Sequence, residues 1–194
     1  MASTYTPLGV ELMVTGENAG TWGTKTNTNL NILEQIIGGY SAKSIAGSAG
    51  TTALDVVDGN TTGSAQFRMI EFTGTITGNR IVTIPNDIET FYFLRNSTSG
   101  AYTVQFKYAT GSGSTTTFSA TDKGDKLVIA TANDGTNPDI KEISLASPPG
   151  GSNTQVQFNN SGSFGGSANL VWDGSNLNIG AQGDLRLQDS TGGE

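Results

Sequence analysis

Apolar positions recur along this chain with two different periods. Between Gly20 and Gly39, in the stretch GTWGTKTNTNLNILEQIIGG, the period is helical. At about 100° per residue, Leu30, Leu33 and Ile37 fall together, with Ile32 and Ile36 beside them. The apolar arc is about 160° wide, broader than one packing partner usually needs. Thr24, Thr26 and Asn27 are all candidate caps for the helix start. Gly38-Gly39 predicts the stop, since glycine accepts the left-handed conformation that ends many helices. A helix of about eleven residues does not hold in water by itself, so it must dock, and the width of the arc favours docking on copies of itself. Asn29 lies inside the arc, either as a hydrogen-bonding group near the helix start or as a register-fixing amide between identical helices. Trp22, between two glycines, reads as a turn residue stapling the helix entrance.

Elsewhere the period is two. Residues 1–20 look extended, with Tyr5, Leu8, Val10, Leu12 and Val14 nearly alternating and Pro7 and Gly9 limiting sheet pairing. Such an arm suits docking on a neighbouring protein, and equally a terminus packed loosely on its own domain. Residues 43–46 and 52–57 predict weak strands. Residues 67–73 and 81–84 read as a better pair, separated by the turn-rich 74–79 and closed by Pro85-Asn86. Residues 91–94 are apolar on both faces, the pattern of a strand covered on two sides. Tyr102, Val104, Phe106 and Tyr108 form the cleanest alternation. Residues 126–130 and 140–145 complete the set across the turn Asn133-Asp134-Gly135. So many short strands predict a β-sandwich or jelly-roll-like domain over residues 41–147.

Residues 148–151, Pro-Pro-Gly-Gly, mark a boundary. Beyond it, over residues 152–194, apolar residues come in alternate pairs: Val156 with Phe158, Leu170 with Trp172, Leu177 with Ile179, and Leu185 with Leu187. Asp173-Gly174 predicts a hairpin turn between the second and third pairs. So few large apolar side chains do not offset the entropy of ordering this segment, and a two-stranded ribbon is marginal alone. The segment is therefore either disordered as a monomer or wound with identical chains into a shaft with a shared interior, and the regular pairing favours the shaft. The expected fold class is mainly β: an extended arm and one helix over residues 1–40, a sandwich-like domain, then the start of a trimeric shaft.

Composition narrows the function. Lys and Arg number 10 against 17 Asp and Glu, for a net charge of −7, and no basic run appears, so nucleic acid is not an expected partner. Cysteine and histidine are both absent, which removes disulfides, thiolate nucleophiles, most metal sites and the commonest general base. No cofactor or metal site is expected. The N-terminus has no signal-like pattern and no apolar run has transmembrane length, so membrane insertion is not expected either. Glycine, at 27 residues, with abundant Thr, Ser and Asn, allows either disorder or a turn-rich β protein; the regularly placed aromatic and β-branched residues favour the latter.

The stretch GENAGTWGTKTNTNLNILEQIIGG resembles the N-terminal segment of bacteriophage tail-fibre proteins, particularly those of phages of marine bacteria and cyanobacteria, in which a WG turn leads into an N-x-N helix. NTQVQFNNSGSFGGSANLVWDGSNLNIG is similar to a segment recurring in phage fibre shafts and other virion appendages. The resemblance covers about fifty residues and implies a homotrimer in the virion, assembled in the host cytoplasm. Its N-terminal portion would meet a tail hub, adaptor or nozzle protein, and only distal parts would reach a host receptor. It places Leu30, Leu33, Ile36 and Ile37 in the trimeric attachment region, with Trp22 holding the helix entrance. Tyr5, Leu8 and Asn29 complete the candidate attachment and trimer-interface residues; Val156, Phe158, Leu170, Trp172, Leu177 and Ile179 are the candidate shaft interface. The sequence stops at Glu194 without a capping or receptor-binding module, so the expectation is a proximal part of a longer fibre.

Chemical motifs carry little. Gly23-Thr24-Lys25-Thr26 lacks the spacing and preceding strand of a phosphate loop. Asp55 with Asp58, and Asp134 with Asp139, miss calcium-loop spacing and read as turn residues. No carboxylate pair stands out for glycoside cleavage. Tyr92, Tyr102 and Tyr108 suggest a sugar-stacking face, against which Tyr102 and Tyr108 read better as one core-facing stripe. The expected function is structural, not enzymatic; the alternatives are a carbohydrate-binding β-sandwich or a fragment of a polysaccharide-degrading tailspike.

Overall fold

The computed structural model describes residues 3–121, 123–144 and 149–180. It is mainly β, with a single helix among the described residues. The chain divides into two units, Met1–Ile143 and Ser144–Glu194.

The first unit opens with two short strands, β1 (Thr4–Tyr5) and β2 (Glu11–Leu12), which pair antiparallel, followed by helix α1 (Trp22–Gly38). Nine strands follow: β3 (Tyr40–Ser44), β4 (Gly50–Ala53), β5 (Met69–Thr73), β6 (Arg80–Ile84), β7 (Thr90–Asn96), β8 (Val104–Tyr108), β9 (Thr116–Phe118), β10 (Asp125–Ala130) and β11 (Ile140–Ile143). They form a five-stranded sheet in the order β11-β10-β7-β5-β3 and a four-stranded sheet in the order β4-β6-β8-β9. The two-layer, sandwich-like expectation holds.

Its winding was not legible in the sequence. From β3 to β8 the chain passes to the other sheet at every step. As a result β3, β5 and β7 run parallel to one another, and so do β4, β6 and β8. Parallel neighbours need a long crossover, usually a helix; here the crossover is a strand of the opposite sheet. The corners carry the ladder onward through parallel bridges between Gly47 and Ile76 and between Thr75 and Ser99. The segments read as a closed pair, 67–73 and 81–84, are both strands, but they lie in different sheets and do not pair. Antiparallel strands β9, β10 and β11 end the winding, and the Asn133-Asp134-Gly135 turn joins β10 to β11 as expected.

The inner faces of both sheets meet in one core. Ile70, Phe72, Tyr92 and Leu94 come from the five-stranded sheet, and Val82, Ile84, Val104, Phe106, Tyr108 and Phe118 from the other. Phe72 packs against Phe106 and Phe118 with ring centroids 6.3 Å apart in each case, and Tyr92 meets Phe106 edge-on at 5.8 Å. Aromatic pairs at such spacings add to plain area burial. The two buried phenols are satisfied: Tyr92 donates to the Ala65 carbonyl (2.8 Å), and Tyr108 donates to the Ile88 carbonyl (2.7 Å). Burial pushes both phenols above the ordinary tyrosine range. Tyr102 corrects the predicted stripe, since it precedes β8 and is exposed.

The second unit contains β12 (Gln155–Asn160), β13 (Ser163–Trp172) and β14 (Leu177–Ile179), joined antiparallel in chain order. Leu185 and Leu187, and the expected strand end at Leu145, lie outside the described residues.

Phe106 sits at the centre of the aromatic cluster with no exposed surface. Phe106→Ala is expected to destabilise the first unit by about 3–5 kcal/mol. Denaturant titration of the intact chain checks this, and a loss below about 1 kcal/mol would place the ring outside the core.

Candidate assembly surface

The helix is longer than its apolar period suggested, because it starts at Trp22. A turn in which the Thr21 and Trp22 amides both donate to the Asn18 carbonyl (2.8 and 2.9 Å) leads directly into it. None of the three expected caps is used. Thr26 and Thr28 donate instead to the carbonyls four residues back, Trp22 and Thr24, at 2.8 and 3.0 Å. Trp22 is the first helical residue and is 66% exposed, so it does not staple the entrance. The stretch from Gly23 to Thr26, set aside as a phosphate loop, is helical. Gly39 ends the helix in an extended conformation, φ −69° and ψ 148°, not the expected left-handed one. A glycine is still required, because a Cβ there would stand 2.6 Å from the Gln35 Cα.

The wide apolar arc resolves into two stripes. Asn29, Ile32 and Ile36 face the unit's own body, where Ile32 is fully buried and Ile36 lies beside Leu8, Phe67 and Tyr92. Leu30, Leu33 and Ile37 lie about 100° further round the helix and remain 57%, 40% and 74% exposed. With Tyr40 and Phe67 they line an open groove of about 760 Å³. Among the described residues of a single copy nothing covers this stripe.

Polar contacts that the sequence did not disclose hold the inner stripe in place. The Glu11 amide donates to Asn29 Oδ1 and Asn29 Nδ2 donates to the Glu11 carbonyl, both at 2.9 Å. Asn29 thus bonds strand β2 through both ends of its amide, a role different from either reading of it above. The Glu11 carboxylate is buried against the helix. It accepts from Ser3 Oγ (2.7 Å) and Asn18 Nδ2 (3.1 Å) and pairs with Lys25 Nζ (2.9 Å). The Ser3 hydroxyl and then Lys25 hold its pKa below the usual carboxylate range, and Glu11 in turn raises that of Lys25. The arm therefore packs on its own unit. Leu8 lies against the core, its carbonyl accepts from Gln66 Nε2 (2.8 Å), and Tyr5 lies over Gly59. No periodicity marks Glu11 or Lys25; only the odd amide at Asn29 hinted at a partner.

The same one-sided covering recurs on the sheet. Strand β7 was expected to be buried on both faces. Its Tyr92 and Leu94 are buried, but Phe91 and Phe93 are 44% and 46% exposed on the outer face.

In the second unit, Leu170 stands opposite Ile179 and Trp172 opposite Leu177, so all four share a face. Val156 and Phe158 alternate along β12. No large apolar side chain of residues 149–180 is buried. The Asp173-Gly174 turn forms as predicted, with Gly174 at φ 98°. Asp173 accepts from the Ser175 and Asn176 amides (2.9 and 2.7 Å) and from Asn178 Nδ2 (2.9 Å). The Asn178 side chain and these amides lower its pKa to about 2.

The residues considered for other chemistry serve the fold. Asp55 accepts from the Ser64 amide and hydroxyl (3.1 and 2.5 Å), Asp134 from the Thr136 amide (2.8 Å), and Asp139 from the Ser114 amide (2.6 Å). Tyr92 and Tyr108 are buried, so they do not join Tyr102 in one exposed face. Among the described residues no helix is long and apolar enough to cross a membrane.

Two outcomes follow from these contacts. Asn29→Ala leaves the Glu11 amide and carbonyl without partners, at a cost of about 1–3 kcal/mol to arm docking. Hydrogen exchange is expected to quicken across residues 4–12 and not in β7, and unchanged exchange in the arm would contradict the clamp. Folding lowers the pKa of the Asp173 carboxylate from its ordinary value to about 2, through the Asn178 side chain and the turn amides. Its stabilising effect on the ribbon is therefore complete above about pH 4 and lost as pH falls through about 2. An NMR titration of the Asp173 carboxyl carbon checks the midpoint, which moves to the ordinary value if the turn is open.

The chain matches no protein-family model, no curated protein and no solved structure.

Proposed function

We propose that this chain is the virion-proximal part of a bacteriophage tail fibre, a homotrimeric structural protein that anchors the fibre to the tail for host attachment. It works by assembly and not by catalysis. The observation that carries this reading is the outward helix stripe: Leu30, Leu33 and Ile37 stand exposed on a helix whose other stripe is already packed. A short helix with a second apolar stripe fits a bundle of identical helices about a common axis. The uncovered apolar pairs of the second unit fit the same logic, since three copies supply the shared interior that one lacks. The resemblance of residues 16–39 and 153–180 to fibre segments adds the biological setting, with a tail hub, adaptor or nozzle protein as the partner at the N-terminal end.

The test is mass in solution. The intact chain is expected at three times its 20.1 kDa. Leu33→Asp places an unpaired charge on the shared axis in every subunit and is expected to give monomers with unchanged circular dichroism. A wild-type monomer, or a Leu33→Asp trimer, overturns the role assigned to the helix.

A further inference from the structure

We infer that the outer face of the five-stranded sheet is also an interface between copies of this chain, continuous with the helix stripe. The inference rests on the trimeric reading above and assigns the surface on which the subunits meet. The pairing register sets Tyr40, Met69, Phe93, Leu127 and Ile143 side by side across all five strands. Phe91 and Ile129 are paired one step along, and Phe91 meets Phe93 edge-on at 6.1 Å. Tyr40 joins this row to the helix, since it lines the same groove as Leu33 and Ile37. Every residue of the row points away from the core.

Area decides what covers it. From their fractional exposures, the helix stripe with Tyr40, Met69, Phe91, Phe93 and Ile129 leaves on the order of 800 Å² of residue surface, backbone included, in water. A monomer's largest apolar patch is about 300–600 Å², and each partner in a stable complex contributes about 800 Å². Charge points to a copy of the same chain. The chain as a whole carries −7, which repels identical copies. The face and its rim, however, balance. Arg68 lies over Phe91 at 3.8 Å, Arg95 pairs with Asp125 at 2.7 Å, and Lys141 stands opposite Ile129, against the carboxylates of Asp125, Glu71 and Glu34. An apolar centre with a neutral polar rim is the anatomy of a protein interface. Three such faces turned to one axis close a trimer without leaving any of them open.

The chain has no cysteine, so one introduced thiol reports on one position. In the intact protein, Met69→Cys and Ile129→Cys probe the face, and Thr117→Cys probes the outer side of β9 in the other sheet. Native mass and the rate of maleimide alkylation are measured on each. The expected result is a trimer in which the first two thiols react at least about tenfold more slowly than the third, with equal rates in denaturant. A trimer with equal rates in buffer overturns this face while leaving the trimeric reading intact. A monomer overturns both.

Discussion

A sheet has two faces, and the five-stranded sheet carries apolar side chains on both, of which the described residues cover only one. The alternation of β7 makes the constraint concrete. Tyr92 and Leu94 point into the core, and on the other side Phe91 and Phe93 point into water. The register of the five-stranded sheet aligns Tyr40 and Met69 with Phe93, so the uncovered positions form a continuous row. The four-stranded sheet differs. Its inward positions are Val82, Ile84, Val104, Phe106 and Tyr108, whereas the outer face carries Gln105, Lys107 and Thr117. One sheet is finished on both sides and the other on one.

Helix α1 obeys the same constraint and adds rigidity to it. Its inner stripe is fixed by packing at Ile32 and Ile36 and by polar contacts at Asn29 and Lys25, which bind strand β2. The buried Glu11 carboxylate has three polar partners, as a buried charge must. With one side held this way, the helix cannot roll to hide Leu30, Leu33 and Ile37 without breaking those contacts. The exposed stripe is therefore a fixed feature of the folded unit. A preformed surface loses less conformational freedom on association than one that orders as it binds.

Periodicity in the sequence disclosed which residues pair a polar with an apolar side, and little about which strand lies next to which. Alternation in 102–108 identified the buried side of β8 from Val104 onward. The Asp173-Gly174 and Asn133-Asp134-Gly135 turns were legible because a hairpin turn is a local event whose residues are adjacent. The parallel winding was not, because it depends on registers such as Tyr40 with Met69 and Gly50 with Arg80, far apart in sequence. A turn-rich connector reads the same whether it closes a hairpin or carries the chain to the opposite sheet. The wide helix arc was legible in the sequence, and in the fold it divides into a packed stripe and an exposed one. Asn29 was noticed for the right reason, its odd location, but its partner lies in the arm and no local pattern points there.

The two units then divide the work of the proposed assembly. The first has a core of its own, with fully buried aromatic rings, and can fold before it meets a partner. The second has a sheet with no large apolar side chain buried among its described residues, so those strands have no apolar core of their own there. Covalent connection links these two facts. If three folded first units associate through the helix stripe, as proposed, their attached ribbons share a small volume, and ribbon association becomes in effect intramolecular. In the proposed trimer, shaft formation would follow attachment-end assembly, because segments this poor in apolar side chains gain a shared interior only once three copies are held together.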